Sequence, residues 1–587
     1  MSDTFAAQLE DVFKVDLPQR PYPGLRPFEK NEWPIFFGRE RMADAIVKTL
    51  IEKHLLVVHG DSGCGKSYLI RAAVLPRLEQ ENARAGLRWR TCTALPRETP
   101  LLNIAQALAG LDGEPLDDER VITLRRLLNF GQDAPAELAR LLCDNPGDNL
   151  CILIDQLEEL FGQARRHGPE EAQLLTQFLI ELHAHPPPGL YVVLTMRSEF
   201  LGACAHYPGF AEVVNATQYL LPRMDHSDLL RAICEPARLY EGDISPALAE
   251  RLINDAGGGQ DQLPLIQHGL MLLYNQNVRL PPDQDPLANP AWHLGLEHYH
   301  HESRLAGLLS AHADDVLHQA QTAYLSPDSH VVEDLFRALT DMNADGQAIR
   351  RPRTLRQLLS VTGATEKALL GVIDTYRADG VSFLTPHGDT PLKMDELIDI
   401  SHEALIRCWH KIADRADGWL IREFRDGLVW RSLLVEAESF EQDPSNVIAP
   451  AITDERSRWL PRHNQAWAVR YGDGWPRVML LLDASRQARD RAREQALEQA
   501  RRKEARRKWT VGTLVIGVTL AGLGYGIYSN RQLVMTYENV NNQLDDVVKK
   551  YPTLSEPLNE VKAELQMQQH GIKILGVPPP QENATDQ

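Results

Sequence analysis

The chain carries little that would fix it covalently or hold a metal. Seven cysteines are spread over 587 residues, at positions 64, 92, 143, 151, 204, 234 and 408, with no CxxC pair among them. Several sit in apolar runs where a reduced thiol packs as a small hydrophobe, so neither a disulfide framework nor a zinc site is expected. A basic excess is missing too: 62 Lys and Arg stand against 81 Asp and Glu, a formal net charge of -19. That balance argues against a surface built to grip nucleic-acid phosphates. The start, "MSDTFAAQLEDVF", lacks the basic and apolar regions of a secretory signal, so synthesis in the cytosol is expected. The length exceeds what one hydrophobic core supports, and several domains are expected. Long uncharged apolar runs are absent, with one exception.

The exception is "WTVGTLVIGVTLAGLGYGIY", residues 509–528. At 1.5 Å per residue, roughly 20 apolar residues cross about 30 Å of hydrocarbon. A buried core helix is the alternative, and the flanks argue against it. "RRKEARRK" precedes the run, whereas only Arg531 follows closely, so the body is expected on the cytoplasmic side and residues 529–587 on the far side. Trp509, Tyr525 and Tyr528 fit interfacial aromatic belts. Gly522 with Gly526, and Gly517 with Ala521, have the small-xxx-small spacing that lets helices approach in lipid. The preceding "ASRQARDRAREQALEQARRKEARRK" reads as a solvated helical stalk whose basic end suits anionic headgroups. Beyond the run, Leu533, Tyr537, Val540, Leu544, Val547 and Tyr551 alternate by four and three, a short coiled-coil seam that Pro552 stops. The alternative is an amphipathic helix that folds onto its neighbour "LNEVKAELQ".

Chemistry is concentrated near the front. "LLVVHGDSGCGKSYLIRAAVL" places an apolar strand before Gly60, then Asp61, Ser62, Gly63, Cys64, Gly65, Lys66 and Ser67, then Tyr68 and a helical run. This strand, GxxxxGKS loop and helix order is the P-loop signature. Glycines let backbone N–H groups curl round phosphates at a helix N-terminus, Lys66 is expected at the β/γ-phosphates and Ser67 at Mg²⁺. "NLCILIDQLEEL" supplies a second apolar strand ending in Asp155, the candidate Mg²⁺-holding acid. Glu158 and Glu159 follow, and either can polarise an attacking water. A third strand, "LYVVLTMR", ends at Arg197, placed either to sense a γ-phosphate or to form an interdomain ion pair. The histidines of "EHYHHES" (His298, His300, His301) fall on different helix faces and complete no tetrahedral set, so they are assigned to surface and packing.

"PYPGLRPFEKNEWPIFFGRERMADAI" upstream of the P-loop resembles the start of the STAND signalling NTPases, in the branch called novel STAND NTPase 1. The resemblance continues through "ILIDQLEELF", "VVLTMRSEF", "CEPARLY", "QLPLIQHGL", "ISHEALIRCW" and "MLLLDASRQARDR", about residues 21–508. It implies an ATP-driven switch, closed with ADP and oligomeric with ATP. It further implies that Gly38 and Arg39 of "FFGRE" approach the adenine and ribose, that Pro236 of "CEPA" leans on the base, and that His402 of "SHEAL" meets the ADP β-phosphate. Residues 331–415 suit a winged helix that closes over nucleotide. "RRPRTLR", residues 350–356, also admits a DNA-contacting reading, which the acidic whole disfavours. Relatives often add WD40 repeats or an N-terminal effector; neither a repeat array after the membrane candidate nor such an effector before Pro21 is expected here.

These readings give a multidomain α/β plus α architecture. Its expected parts are an N-terminal arm (1–20), a P-loop NTPase domain with a parallel sheet (21–230), a helical lid (231–330) and a winged helix (331–415). A helical domain and basic stalk (416–508), a transmembrane helix (509–528) and a short extracytoplasmic tail (529–587) complete it. The expected function is an ATP/ADP- and Mg²⁺-binding ATPase switch in a bacterial inner membrane. Its ATP form would gather its membrane helices on an unknown protein trigger, in anti-phage defence or signalling. The alternatives are a nucleotide-stabilised membrane scaffold with negligible turnover and a winged-helix DNA-binding ATPase.

Overall fold

The computed structural model describes residues 17–573, apart from 84–85, 98, 112–116, 144, 146, 162–168, 258, 279–290, 300–303, 344–345 and 553–554. Two compact units result: the described residues up to Leu433 together with His463–Trp475, and Leu434–Arg462 with the chain from Pro476 onward.

In the first unit the apolar runs become strands of a parallel sheet. Its members are β1 (Leu55–Gly60), β2 (Arg88–Ala94), β3 (Asp148–Ile154), β4 (Leu190–Arg197) and β5 (Gln218–Leu220), in the order β2-β3-β4-β1-β5. All adjacent pairs are parallel. β1, β3 and β4 are covered on both faces, which is why each reads as a continuous hydrophobic run. The edge strands β2 and β5 carry arginine, threonine and glutamine with mixed burial, and no such run announces them. Alternate residues point to opposite faces. Leu55, Val57, Ile152, Ile154 and Leu194 pack on one side with the helices Pro100–Ala109, Ala134–Leu142 and Glu170–Ala184. Leu56, Val58, Cys151, Leu153 and Val193 pack on the other with Glu40–Lys53 and the helix that follows β1. Because β4 lies between β1 and β3, their carboxyl ends converge: Gly60 is in register with Arg197, and Ile154 with Leu194.

A helical part follows: His226–Leu239, Pro246–Ala256, Gln262–Asn277 and Leu305–Tyr324, with a parallel pair of β6 (Gly242–Ile244) and β7 (Trp292–Leu294). The expected boundary at 230/231 falls inside the first of these helices. Tyr22 and Leu25, assigned by sequence to the sheet domain, belong to this helical core instead, and the Tyr22 hydroxyl donates to the Ile233 carbonyl at 2.6 Å.

Next come the helix Val331–Leu339, a hairpin of β8 (Thr340–Met342) and β9 (Ala348–Arg350), then β10 (Arg353–Thr354). The helices Leu355–Thr362 and Glu366–Arg377, β11 (Leu384–Thr385), β12 (Leu397–Ile400) and the short helix Glu403–Cys408 complete the segment. β10, β12 and β11 form an antiparallel sheet. Its core is aromatic, with the Phe336 ring 4.9 Å from both Tyr376 and Trp409. A buried charge knot ties it to Trp419–Gln442 and residues 463–471. Glu423 accepts from Arg337 at 2.7 Å, Trp467 at 2.9 Å and Tyr471 at 2.6 Å.

The second unit is built on the 76-residue helix Trp475–Lys550. Its first turns are packed, with Val478, Leu481 and Leu482 buried and the Ser485 hydroxyl accepting from the Ile448 amide at 3.0 Å. Arg493 pairs with Asp454 of Pro450–Trp459 at 2.6 Å. The solvated stalk expected from residue 484 therefore begins near residue 490. Residues 509–528 are exposed throughout, and the helix contains a segment long and apolar enough to cross a membrane. Stalk, apolar run and seam are one uninterrupted helix, not separate elements. Past Pro552, Ser555–Lys573 turns back antiparallel: Lys562 pairs with Asp545, and the Tyr537 hydroxyl donates to Gln568 at 3.2 Å. Of the two readings of the tail, folding onto the neighbouring segment is the one the structure has.

Candidate nucleotide site

Strand β1 delivers Gly60, and the chain then turns through Gly63 (φ 74°) and Gly65 (φ 89°), left-handed positions that favour glycine. Gly63 also permits a close approach. A Cβ there would lie 1.8 Å from the Gln260 carbonyl oxygen, so the loop nests against the start of Gln262–Asn277. A helical rod begins at Lys66, whose Nζ donates to the carbonyls of Gly60 (3.0 Å) and Asp61 (2.8 Å). The Ser67 hydroxyl donates to Asp155 Oδ1 at 2.7 Å. Asp155 is buried, and it also accepts from the Thr195 hydroxyl and, on Oδ2, from Arg71 at 2.7 Å. Directly after it Gln156 holds φ at 59°, an unusual left-handed state for a side-chain-bearing residue, with its amide donating to Thr195 Oγ1 at 3.0 Å.

The two glutamates diverge. Glu158 accepts from the Arg197 amide at 3.3 Å; burial raises its pKa, and the Lys66 charge works against that rise. Glu159 accepts from the Arg97 amide at 3.1 Å and is pushed up to about 7 by burial, with the Arg350 charge opposing. Arg197 pairs with Glu199, and its buried Nε has no hydrogen-bond partner among the described residues.

These groups line one side of a cavity of about 710 Å³. The other side comes from residues 349–403, including Arg350, Asp399, His402 and Glu403. His402 Nδ1 accepts from the Ala404 amide at 3.0 Å, which puts the imidazole proton on Nε2. Burial lowers its pKa, and the neutral ring is left as a hydrogen-bond donor. Arg350 donates to Glu403 (2.9 Å) and Asp399 (2.7 Å) and reaches the Gln156 side chain at 3.4 Å. Arg407 pairs with Asp261 at 2.6 Å, beside the Gln260 carbonyl that touches Gly63. Glu403 is held well below the usual carboxylate range by Arg350, against its desolvation.

Other expected site residues stand behind the cavity wall or away from it. Gly38, Arg39, Gly60, Asp61, Cys64 and Pro236 are not among the residues that line the cavity. Arg39 is buried behind the loop, donating to the carbonyls of Pro222 (2.7 Å) and Cys64 (3.0 Å), so it braces the P-loop from outside. The close approach at Gly38 is to protein backbone, since a Cβ would lie 2.5 Å from the Asp228 carbonyl oxygen. Asp61 pairs with Arg223 at 2.8 Å, and Pro236 is buried within its helix. Within "RRPRTLR", Arg350 turns inward, and Arg356 pairs with Asp395 at 3.3 Å, so neither is a free phosphate contact. His298 Nδ1 accepts from the Gly295 amide at 3.0 Å, a local packing role; His300 and His301 lie outside the described residues. Arg71 and Thr195 went unread because neither belongs to the P-loop or strand-end pattern, although Arg71 follows Ser67 by one helical turn.

The donor set suits Mg²⁺ and nucleotide: the hard oxygens of the Ser67 hydroxyl and the Asp155 carboxylate, beside a glycine cradle and a buried lysine. A parallel sheet with the P-loop after β1, the acid after β3 and an arginine at the end of β4 defines a P-loop NTPase. The family model described as "Novel STAND NTPase 1" matches residues 21–445, and the chain belongs to that family. No curated protein matches it in sequence. Among solved structures it is similar to the Aeropyrum pernix ORC1 protein in complex with DNA, at 15% identity and TM-score 0.33, covering 64% of this chain and 93% of that one. A Walker-type ATPase of Pyrococcus abyssi is similar at 14% identity and TM-score 0.31, covering 67% and 98%. Cdc6p from Pyrobaculum aerophilum is similar at 12% and 0.29, covering 66% and 94%.

Proposed function

We propose that the chain is a membrane-anchored ATP switch whose present form is the closed one. The observation that carries this reading is the clasp over the P-loop. Arg350 and His402, from a segment far along the chain, enclose the same cavity as Lys66, Ser67 and Asp155, and Arg350 touches the residue next to Asp155. In this reading residues 331–415 are a winged helix, supported by three helices followed by the β11 and β12 strands, and residues 231–330 are the lid. Lys66 and the loop amides hold the β- and γ-phosphates, while Ser67 and Asp155 hold Mg²⁺, which when bound neutralises charge developing on the phosphates. The Nε2 proton of His402 donates to a phosphate oxygen, so the nucleotide itself links the P-loop to the winged helix. Glu158, within electrostatic reach of Lys66 and Asp155, orients the attacking water; Glu159, facing Arg97 and Arg350, belongs to the clasp.

Exchange of ADP for ATP releases the clasp and exposes surfaces through which copies assemble. Residues 509–528 cross the bacterial inner membrane with the body cytoplasmic, supported by their exposure and the basic flank. Assembly of the cytosolic parts then gathers weakly associating membrane helices by raising their effective concentration. The gathered helices then act as the output, either by perturbing the membrane in anti-phage defence or by signalling through a partner protein. The test is the mass of the detergent-solubilised chain with ADP and with ATP. A discrete larger assembly that needs ATP and is absent in Lys66→Ala is expected. The same mass in all states, across a range of protein concentrations and with nucleotide demonstrably bound, would favour a constitutive scaffold.

A further inference from the structure

Asp155 is 1% exposed, and a lone carboxylate buried to that degree carries a large desolvation cost. Ser67 and Thr195 donate neutral hydrogen bonds to Oδ1, but the charge is answered by Arg71, on Oδ2 at 2.7 Å. Arg71 sits in the π-helical turn Ile70–Val74 that interrupts the rod just after Ser67. Such turns rotate side chains out of α-helical register and recur at functional sites. The Arg71 side chain retains 25% of its exposure and lines the cavity. It is poorly satisfied there: its buried Nε has no partner, and Asp155 is its one hydrogen-bond acceptor among the described residues.

We infer that Arg71 is the resident counter-ion of the metal seat and competes with Mg²⁺ for Asp155 Oδ2. This rests on the reading of Asp155 as the Mg²⁺-holding acid. Oδ1 stays engaged by Ser67 in either state, because a serine hydroxyl can donate to the carboxylate while its lone pair faces a metal. Oδ2 is the oxygen at issue: a metal bound there and the guanidinium that already donates to it repel one another, so each weakens the other's hold. Arg71 is the one placed to yield, being partly exposed and held by a single acceptor among the described residues. It keeps Asp155 neutralised without metal, at the cost of raising the Mg²⁺ concentration needed to fill the seat. Arg71 is therefore a positioning residue that sets a metal threshold for tight nucleotide binding.

The experiment uses the full-length chain in detergent and follows binding of a fluorescent ADP across a Mg²⁺ titration, with Mn²⁺ binding by electron paramagnetic resonance as a direct metal readout. Arg71→Gln should lower the half-saturating Mg²⁺ about tenfold or more, as expected when one competing charge leaves a largely buried pair. Without metal its ADP affinity should fall, because Asp155 is then an unanswered charge in the same cavity, whereas in saturating Mg²⁺ it should match wild type within about twofold, which a general structural defect would not permit. Arg71→Lys, whose shorter reach weakens the pairing, should shift the midpoint in the same direction and serves if the glutamine variant does not fold. A midpoint unchanged in the folded variants, while Asp155→Asn abolishes the Mg²⁺ response, overturns the competition alone. A wild-type chain whose ADP binding ignores Mg²⁺, and which binds no Mn²⁺, overturns the metal reading of Asp155 and this inference with it.

Discussion

Two adjacent glutamates with different neighbours make the division of labour a residue-scale question. Glu158→Gln should retain ATP binding while hydrolysis, followed by phosphate release, falls by roughly 10²-fold or more, as loss of a water-orienting carboxylate does. Glu159→Gln should leave turnover within a few-fold and act on stability. Its folded-state pKa, raised by burial to about 7, lies above the ordinary carboxylate value. A raised acid contributes stability in full below its unfolded pKa and loses it as pH rises through the folded one. Wild type should therefore weaken relative to Glu159→Gln between about pH 4.5 and 7, by roughly 1–3 kcal/mol, read from paired denaturant melts. Equal pH slopes would show that Glu159 is not held protonated. The sequence already contained Lys66, Ser67, Asp155 and both glutamates, because a phosphate cradle and a strand-end acid need fixed residue types at fixed spacing. It could not separate the glutamates, since only tertiary neighbours, Lys66 for one and Arg350 for the other, distinguish them.

At the scale of elements, the strands buried on both faces were legible and the edges were not. β1, β3 and β4 are continuous apolar runs; β2, with Arg88 and Arg90, and the three-residue β5 are held by pairing and leave no local signature. Arg39 shows the same limit. Its position beside the P-loop was readable, but its burial against Pro222 and Cys64 carbonyls depends on where the chain returns 183 residues later. Arg350 was not singled out for a related reason: in sequence it is one of four arginines, and in space it is the one enclosed by Glu403 and Asp399. The clasp yields its own prediction. Arg350→Ala should release bound fluorescent ADP at least about tenfold faster in stopped flow, since it leaves Glu403 and Asp399 as buried, unpaired carboxylates. A release rate equal to wild type would mean that residues 331–415 do not retain the nucleotide. For the apolar run, Leu520→Arg places a charge at mid-span and should abolish carbonate-resistant membrane association. Continued resistance would argue for a peripheral attachment.

For the molecule as a whole, the uninterrupted helix Trp475–Lys550 carries a consequence of its own. A rod without a hinge has a phase: each residue turns the next by 100°, so the azimuth of a side chain at one end is fixed by the count of residues behind it. Torsion applied near residue 490 would therefore be carried toward Val540, as in a drive shaft. Two residues inserted at position 500 advance the far end by about 200°, whereas seven leave it within about 20° of its starting azimuth. With a reporter Val540→Cys, ATP-dependent cross-linking between copies should survive the seven-residue insertion and fail with two. The relevant variable for this chain is then angular, and length changes that preserve the azimuth are silent.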